Sequence, residues 1–118
     1  MIVGIGTDII EINRVLKAVN KKSFLKKVFS EREIEIFGTK PMKLAGNFAA
    51  KEAVSKALGT GFRIGAKKIE IFRDDFGKPY VVLEKSEFKI HLSISHSKED
   101  IIAYAICETV EEINENHK

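Results

Sequence analysis

Residues 44–61, Leu-Ala-Gly-Asn-Phe-Ala-Ala-Lys-Glu-Ala-Val-Ser-Lys-Ala-Leu-Gly-Thr-Gly, constrain this chain more than any other stretch. Pro41 supplies a helix start, and Leu44, Phe48, Val54 and Leu58 supply apolar anchors at helical spacing. Ala45, Ala49, Ala50, Ala53 and Ala57 are strong helix formers, small enough to let another backbone or a ligand come close. Gly59 and Gly61 stop the helix, with a left-handed cap expected. Phe48, Glu52 and Lys56 fall at i, i+4 and i+8 and so form one near-axial row. Taken alone, that row is a surface ion pair worth about a few tenths of a kcal/mol. The rest of the chain argues for more.

The 118 residues suffice for one domain with a modest core, expected to run over 1–118. Hydrophobic residues make up 44% and charged residues 31%, the balance of a soluble globular protein. No apolar run approaches the ~20 residues needed to span a bilayer, so no membrane role is expected. Met1-Ile2-Val3-Gly4-Ile5 is short, has no basic leader and runs into Asp8, which argues against a signal peptide. A single cysteine, Cys107, in an apolar stretch reads as a core residue in a reducing cytoplasm. The net charge of +3 is mild, but its distribution is uneven. Arg14, Lys17, Lys21, Lys22, Lys26 and Lys27 follow one another with no acidic residue between them, which suggests a docking face for an anionic partner.

In chain order, residues 2–8 read as a short strand ending on a carboxylate. Gly4 and Gly6 weaken a strand interior and therefore imply a close backbone approach. Asp8 is either a functional carboxylate or a cap for the helix read at 11–20, whose Ile12, Val15, Leu16 and Val19 share one face. A short apolar element surrounds Phe24–Phe29, and Ser30-Glu31-Arg32-Glu33 is a capping box for a helix closed by Gly38. Beyond Gly61 the pattern turns to strands at 67–73, 80–83, 89–95 and 101–107, with a turn at 74–79. Together these predict an α+β fold, with a helical first half and a long central helix packed on a small antiparallel sheet of three or four strands.

Asp8, Glu52 and His96 stand out chemically. Two carboxylates from distant positions suit a single Mg²⁺, which takes oxygen ligands and keeps waters and substrate phosphates. Lys56, one turn beyond Glu52, suits a phosphate oxygen, and His96 either donates to another or caps its hairpin.

Three blocks carry a resemblance. Gly4-Ile5-Gly6-Thr7-Asp8-Ile9-Ile10-Glu11-Ile12, Phe48 through Gly61, and Ser93-Ile94-Ser95-His96-Ser97 resemble, in order, the signatures of the holo-[acyl-carrier-protein] synthases, a group of 4′-phosphopantetheinyl transferases. The resemblance covers nearly the whole chain. It implies transfer of phosphopantetheine from coenzyme A to a serine of apo-acyl carrier protein in fatty acid biosynthesis, with release of adenosine 3′,5′-bisphosphate. It matches Asp8 and Glu52 to Mg²⁺ ligands, Lys56 and His96 to residues at the coenzyme phosphates, and Gly59-Thr60-Gly61 to a coenzyme-binding loop that is equally a helix cap. Lys51 either helps to hold a phosphate or is solvated. The serine's proton goes to Glu52 or Asp8 through a metal-bound water, or else to His96. The resemblance further implies a homotrimer with sites at subunit boundaries. It also implies docking of the acidic carrier on the first helix, here through Arg14, Lys17, Lys21 and Phe24. A competing reading is a small basic non-catalytic module for nucleic acid or a phosphorylated partner. The basic run lacks interleaved aromatics apart from Phe24, and no nucleic-acid motif accompanies it. A coenzyme A binder without catalysis is a third reading, in which an intact Asp8/Glu52 pair is not expected.

Overall fold

The chain enters as a strand, β1 (Ile2–Glu11), which bends directly into helix α1 (Ile12–Val19). The computed structural model describes residues 1–59, 64–84 and 87–110. Asp8 lies inside β1, three residues short of its end, so it caps no helix. Two short helices follow, α2 (Lys22–Val28) and α3 (Glu31–Phe37). Ser30 and Glu33 form the expected reciprocal capping box. Pro41 opens the 18-residue helix α4 (Pro41–Leu58), and Gly59 ends it at φ 73°, in the left-handed region that glycine occupies without strain.

A single 3₁₀ turn (Ala66–Lys68) leads into β2 (Ile69–Arg73) and β3 (Pro79–Leu83), followed by β4 (Phe88–His96) and β5 (Asp100–Thr109). The strands do not form the one sheet predicted. β1, β5 and β4 make a three-stranded antiparallel sheet in that order, and β2 and β3 make a separate hairpin. The amino-terminal strand pairs with the last one, Ile2 opposite Glu108 and Glu11 opposite Asp100, a partnership that periodicity cannot encode.

Helix α4 crosses the inner face of the larger sheet and is buried on nearly all sides. Its approach to β1 explains the glycines. A Cβ on Gly4 would lie 1.8 Å from the carbonyl oxygen of Ala57, and one on Gly6 would lie 1.9 Å from that of Ala53. Backbone therefore packs on backbone, and the alanines of α4 supply the helix side of the contact. The core is completed by Phe29, Leu44, Val54, Ile69, Ile71 and Ile101. The outer face of the same sheet carries Val3, Ile5 and Ile9 of β1 beside Tyr104 and Ile106 of β5, all exposed. Among the described residues no helix is long and apolar enough to cross a membrane.

Candidate active site

The side chains of β1 alternate, so Gly4, Gly6 and Asp8 all face α4. The glycines draw the strand onto the helix, and Asp8 is the first side chain beyond that contact. Glu52 and Lys56 stand on α4 one turn apart and meet it there. Lys56 Nζ donates to Asp8 Oδ1 at 3.2 Å and to the Thr7 carbonyl at 3.0 Å. Lys56 thus forms an ion pair with β1, beyond its own helix row. Asp8 Oδ2 is buried and has no hydrogen-bond partner. Burial raises the Glu52 carboxyl above its ordinary range, the charge of Asp8 raises it further, and Lys56 opposes both.

These residues open onto a cleft of about 700 Å³ between α1 and α4, lined by Asp8, Glu52, Arg14, Phe24, Phe48 and Asp100 among others. Its far wall is aromatic, with the rings of Phe24 and Phe48 edge to face at 5.4 Å. One side of the cleft is therefore acidic and the other apolar, with Arg14 at its mouth. Asp100, read from sequence only as loop, reaches the cleft because it pairs with Glu11; that register gave no sequence signal.

Two carboxylates, one with an unsatisfied buried oxygen, are a hard-oxygen donor set that fits a divalent cation such as Mg²⁺. Among the described residues no group of three or more His, Cys, Asp or Glu side chains forms such a site. A cation held by Asp8 and Glu52 would thus complete its shell with waters and oxygens of a bound molecule, as Mg²⁺ commonly does.

The remaining predicted residues divide. His96 ends β4, is exposed, and lies 3.3 Å through Nδ1 from the Ser97 carbonyl. It borders a separate depression with Lys43, Gly46 and Arg73 and does not reach the Asp8–Glu52 cleft of its own chain. Gly59 caps α4 through its backbone N–H; Thr60 and Gly61 lie outside the described residues. Lys51 serves neither role its position suggested. It is 0% exposed, and its ammonium donates to Glu33 Oε1 at 2.6 Å, the Ile69 carbonyl at 2.6 Å and the Ala66 carbonyl at 2.9 Å. Three donors with three partners leave nothing for a phosphate or for water. Arg14, Lys17 and Lys21 are exposed along α1 and its end, whereas Phe24 is half-buried against Phe48 and Phe29.

The chain and its fold are similar to those of known proteins. Residues 4–107 match the family model of the 4′-phosphopantetheinyl transferase superfamily. The holo-[acyl-carrier-protein] synthase of Clostridium beijerinckii is 51% identical, covering 93% of this chain and 100% of that relative. A Bacillus anthracis holo-(acyl-carrier-protein) synthase solved in complex with CoA (3′,5′-ADP) superposes with a TM-score of 0.84 at 42% identity, covering 93% of this chain and 99% of that one. The Helicobacter pylori holo-[acyl-carrier-protein] synthase in complex with coenzyme A gives a TM-score of 0.80 at 33% identity, covering 88% and 99%.

Proposed function

The chain belongs to the 4′-phosphopantetheinyl transferase superfamily, and we infer that it transfers 4′-phosphopantetheine from coenzyme A to a serine of apo-acyl carrier protein. The observation that carries this reading is the meeting of Asp8 and Glu52 in the cleft beside Lys56, in a chain half identical to holo-[acyl-carrier-protein] synthases. The serine oxygen attacks the phosphorus that bears the pantetheine arm, the pyrophosphate bond breaks, and adenosine 3′,5′-bisphosphate leaves. Such a transfer needs positioning and charge neutralisation more than covalent help.

Asp8 and Glu52 would hold Mg²⁺, which when bound supplies charge stabilisation to the pyrophosphate. Lys56, half-exposed and oriented by Asp8 and the Thr7 carbonyl, presents its remaining hydrogen to a phosphate oxygen. The serine proton passes to Glu52 or Asp8 through a water. Phe24 and Phe48 exclude water from the apolar side of the cleft. The test is the mass of an apo-carrier protein incubated with this chain, coenzyme A and Mg²⁺. A gain of one phosphopantetheine per serine is expected, and an unchanged mass with a folded carrier contradicts the reading.

The acidic carrier docks on the exposed side of α1, through Arg14, Lys17 and Lys21, with Phe24 at the cleft edge. The support is geometric: the basic flank leads to the mouth of the cleft, where Arg14 lines it. Charges of this kind act mainly on association and are screened over a Debye length of about 8 Å at physiological salt. Arg14→Glu with Lys21→Glu should raise the KM for the carrier roughly tenfold or more, leave coenzyme A affinity nearly unchanged, and abolish the salt sensitivity of wild-type turnover. An unchanged carrier KM would place the docking face elsewhere.

The functional unit is a homotrimer with sites between subunits, in the cytoplasm, where the free buried thiol of Cys107 stays reduced. Two features support the assembly. Val3, Ile5, Ile9, Tyr104 and Ile106 leave one whole sheet face uncovered, and exposed patches of this kind mark association surfaces. His96 stands apart from the cleft of its own chain, free to serve a neighbour's. Light scattering should give a trimer for the wild type and a monomer with little turnover for Ile5→Asp. A fully active wild-type monomer at micromolar concentration would contradict the assembly.

A further inference from the structure

Helix α4 bears a second polar row, one residue behind the first. Asn47, Lys51 and Ser55 repeat at i, i+4 and i+8, and all three are buried. Ser55 Oγ donates back to the Glu52 carbonyl of the helix at 3.0 Å, whereas Asn47 and Lys51 reach the edge of β2 that faces away from β3. Lys51 Nζ donates to the Ile69 carbonyl at 2.6 Å, and Asn47 Nδ2 donates to the Ile71 carbonyl at 3.4 Å. Glu33 of α3 completes the edge, its Oε2 accepting from the Ile71 N–H at 3.1 Å while its Oε1 takes Lys51. Helix side chains therefore occupy the edge at which a further strand would have joined the hairpin. Lys51 and Glu33 are both 0% exposed, and the ammonium also lies 5.3 Å from the centre of the Phe29 ring.

A fully buried ion pair is rarely the most stabilising filling for its volume, since desolvation offsets most of the attraction. What it does supply is a fixed direction. Three consecutive residues of α4 show where that direction matters. Lys51 is tied to β2 and α3, Ala53 meets the bare backbone of Gly6 in β1, and Glu52 between them faces the cleft. The two flanking contacts hold the helix from two sides and set its rotation about its own axis. With side chains reaching about 6 Å from that axis, a rotation of ~20° would move the Glu52 carboxylate by roughly 2 Å, enough to lose a metal ligand or a near-attack geometry.

We propose that the Lys51–Glu33 pair is a positioning device for the transfer site, locking the rotation of α4 so that Glu52 confronts Asp8. The proposal rests on the assignment of Asp8 and Glu52 as the cation-binding pair. Lys51 and Glu33 touch no substrate and act through Glu52.

The test compares wild type, Lys51→Met, and Glu33→Gln with Lys51→Met. The single change strands a buried carboxylate and should melt well below wild type. The double change removes both charges, and the carboxamide oxygen introduced in place of the Glu33 carboxylate still accepts from the Ile71 N–H, at the loss of the bond that Glu33 Oε1 takes from the Ser30 N–H, so it should recover a large part of the melting temperature lost in the single variant. Binding of Mn²⁺ to the coenzyme-free proteins, followed by electron paramagnetic resonance, and the kcat for an apo-carrier protein are then measured. The double variant, though refolded, should bind Mn²⁺ about tenfold more weakly and lose kcat by a similar factor, with its carrier KM unchanged. A double variant with recovered melting temperature and wild-type Mn²⁺ affinity and kcat overturns the positioning role and leaves the pair purely structural. A wild type that transfers phosphopantetheine but whose Mn²⁺ binding is untouched by Asp8→Asn and by Glu52→Gln removes the cation assignment itself, and the proposal falls with it.

Discussion

Asp8→Asn and Glu52→Gln should each reduce kcat/KM for the carrier by roughly 10²-fold or more, the rate equivalent of about 3 kcal/mol of lost charge stabilisation. Each removes one anionic donor from a pair in which Asp8 already carries an unsatisfied buried oxygen. Both should also raise the Mg²⁺ concentration needed for half-maximal rate. The fold should persist, and for Glu52→Gln the direction of the stability change is itself informative. Because the folded protein raises the Glu52 carboxyl above its ordinary value, the cation-free fold binds that proton more tightly than the unfolded chain does. Stability from this group is therefore present at low pH and lost as pH rises from the usual carboxylate range through the raised value. The glutamine variant lacks that loss and should melt no lower than wild type at neutral pH without metal, with Mg²⁺ no longer raising its melting temperature. Near-wild-type turnover at limiting Mg²⁺ in either variant would reduce that carboxylate to a surface group.

The second large effect is steric. Gly6→Ala should destabilise the fold by about 3 kcal/mol or more, beyond the usual range for an added methyl in a core. The new Cβ would fall 1.9 Å from the Ala53 carbonyl oxygen and 2.7 Å from the Ala57 nitrogen, both backbone atoms of α4 that no rotamer change can move aside. Relief requires β1 to lift off the helix, and Asp8 lies two residues along that strand. Melting temperature and the apparent Mg²⁺ requirement should therefore worsen together. A Gly6→Ala protein with wild-type values of both would show that the strand and helix are not in the contact that assembles the site. The same substitution at Gly77, where a Cβ meets nothing within 4 Å, should cost only the strain of its left-handed backbone at φ 82°.

The parts of the structure legible in the sequence were those with local causes. Pro41, the alanines and Gly59 bound α4 because each acts within its own turn, and the Ser30–Glu33 box marks α3 for the same reason. Gly4 and Gly6 announced a close approach but not its partner, because nothing local to a strand names the helix it will meet. Pairing failed wherever it is long-range: five strands were foreseen, but not their division into a three-stranded sheet and a hairpin whose free edge is filled by Glu33, Lys51 and Asn47. The site followed the same rule. Asp8, Glu52 and Lys56 were visible as residue types, and the fold brought them together. Lys51 carries the same charge as Lys56 but stands next to Glu52 and turns into the core, because a side chain about 100° round the helix from Glu52 faces α3 and β2 rather than the cleft. His96 stayed apart because β4 is separated from β1 by β5.

We propose that Asp8 and Glu52 together hold the divalent cation used in transfer. Anomalous diffraction from crystals grown with coenzyme A and Mn²⁺ tests it most directly. One Mn²⁺ peak per site is expected between the two carboxylates, about 2.0–2.3 Å from an oxygen of each, with its remaining ligands drawn from water and the pyrophosphate. A catalytically competent crystal whose metal peak lies away from either carboxylate would contradict the account.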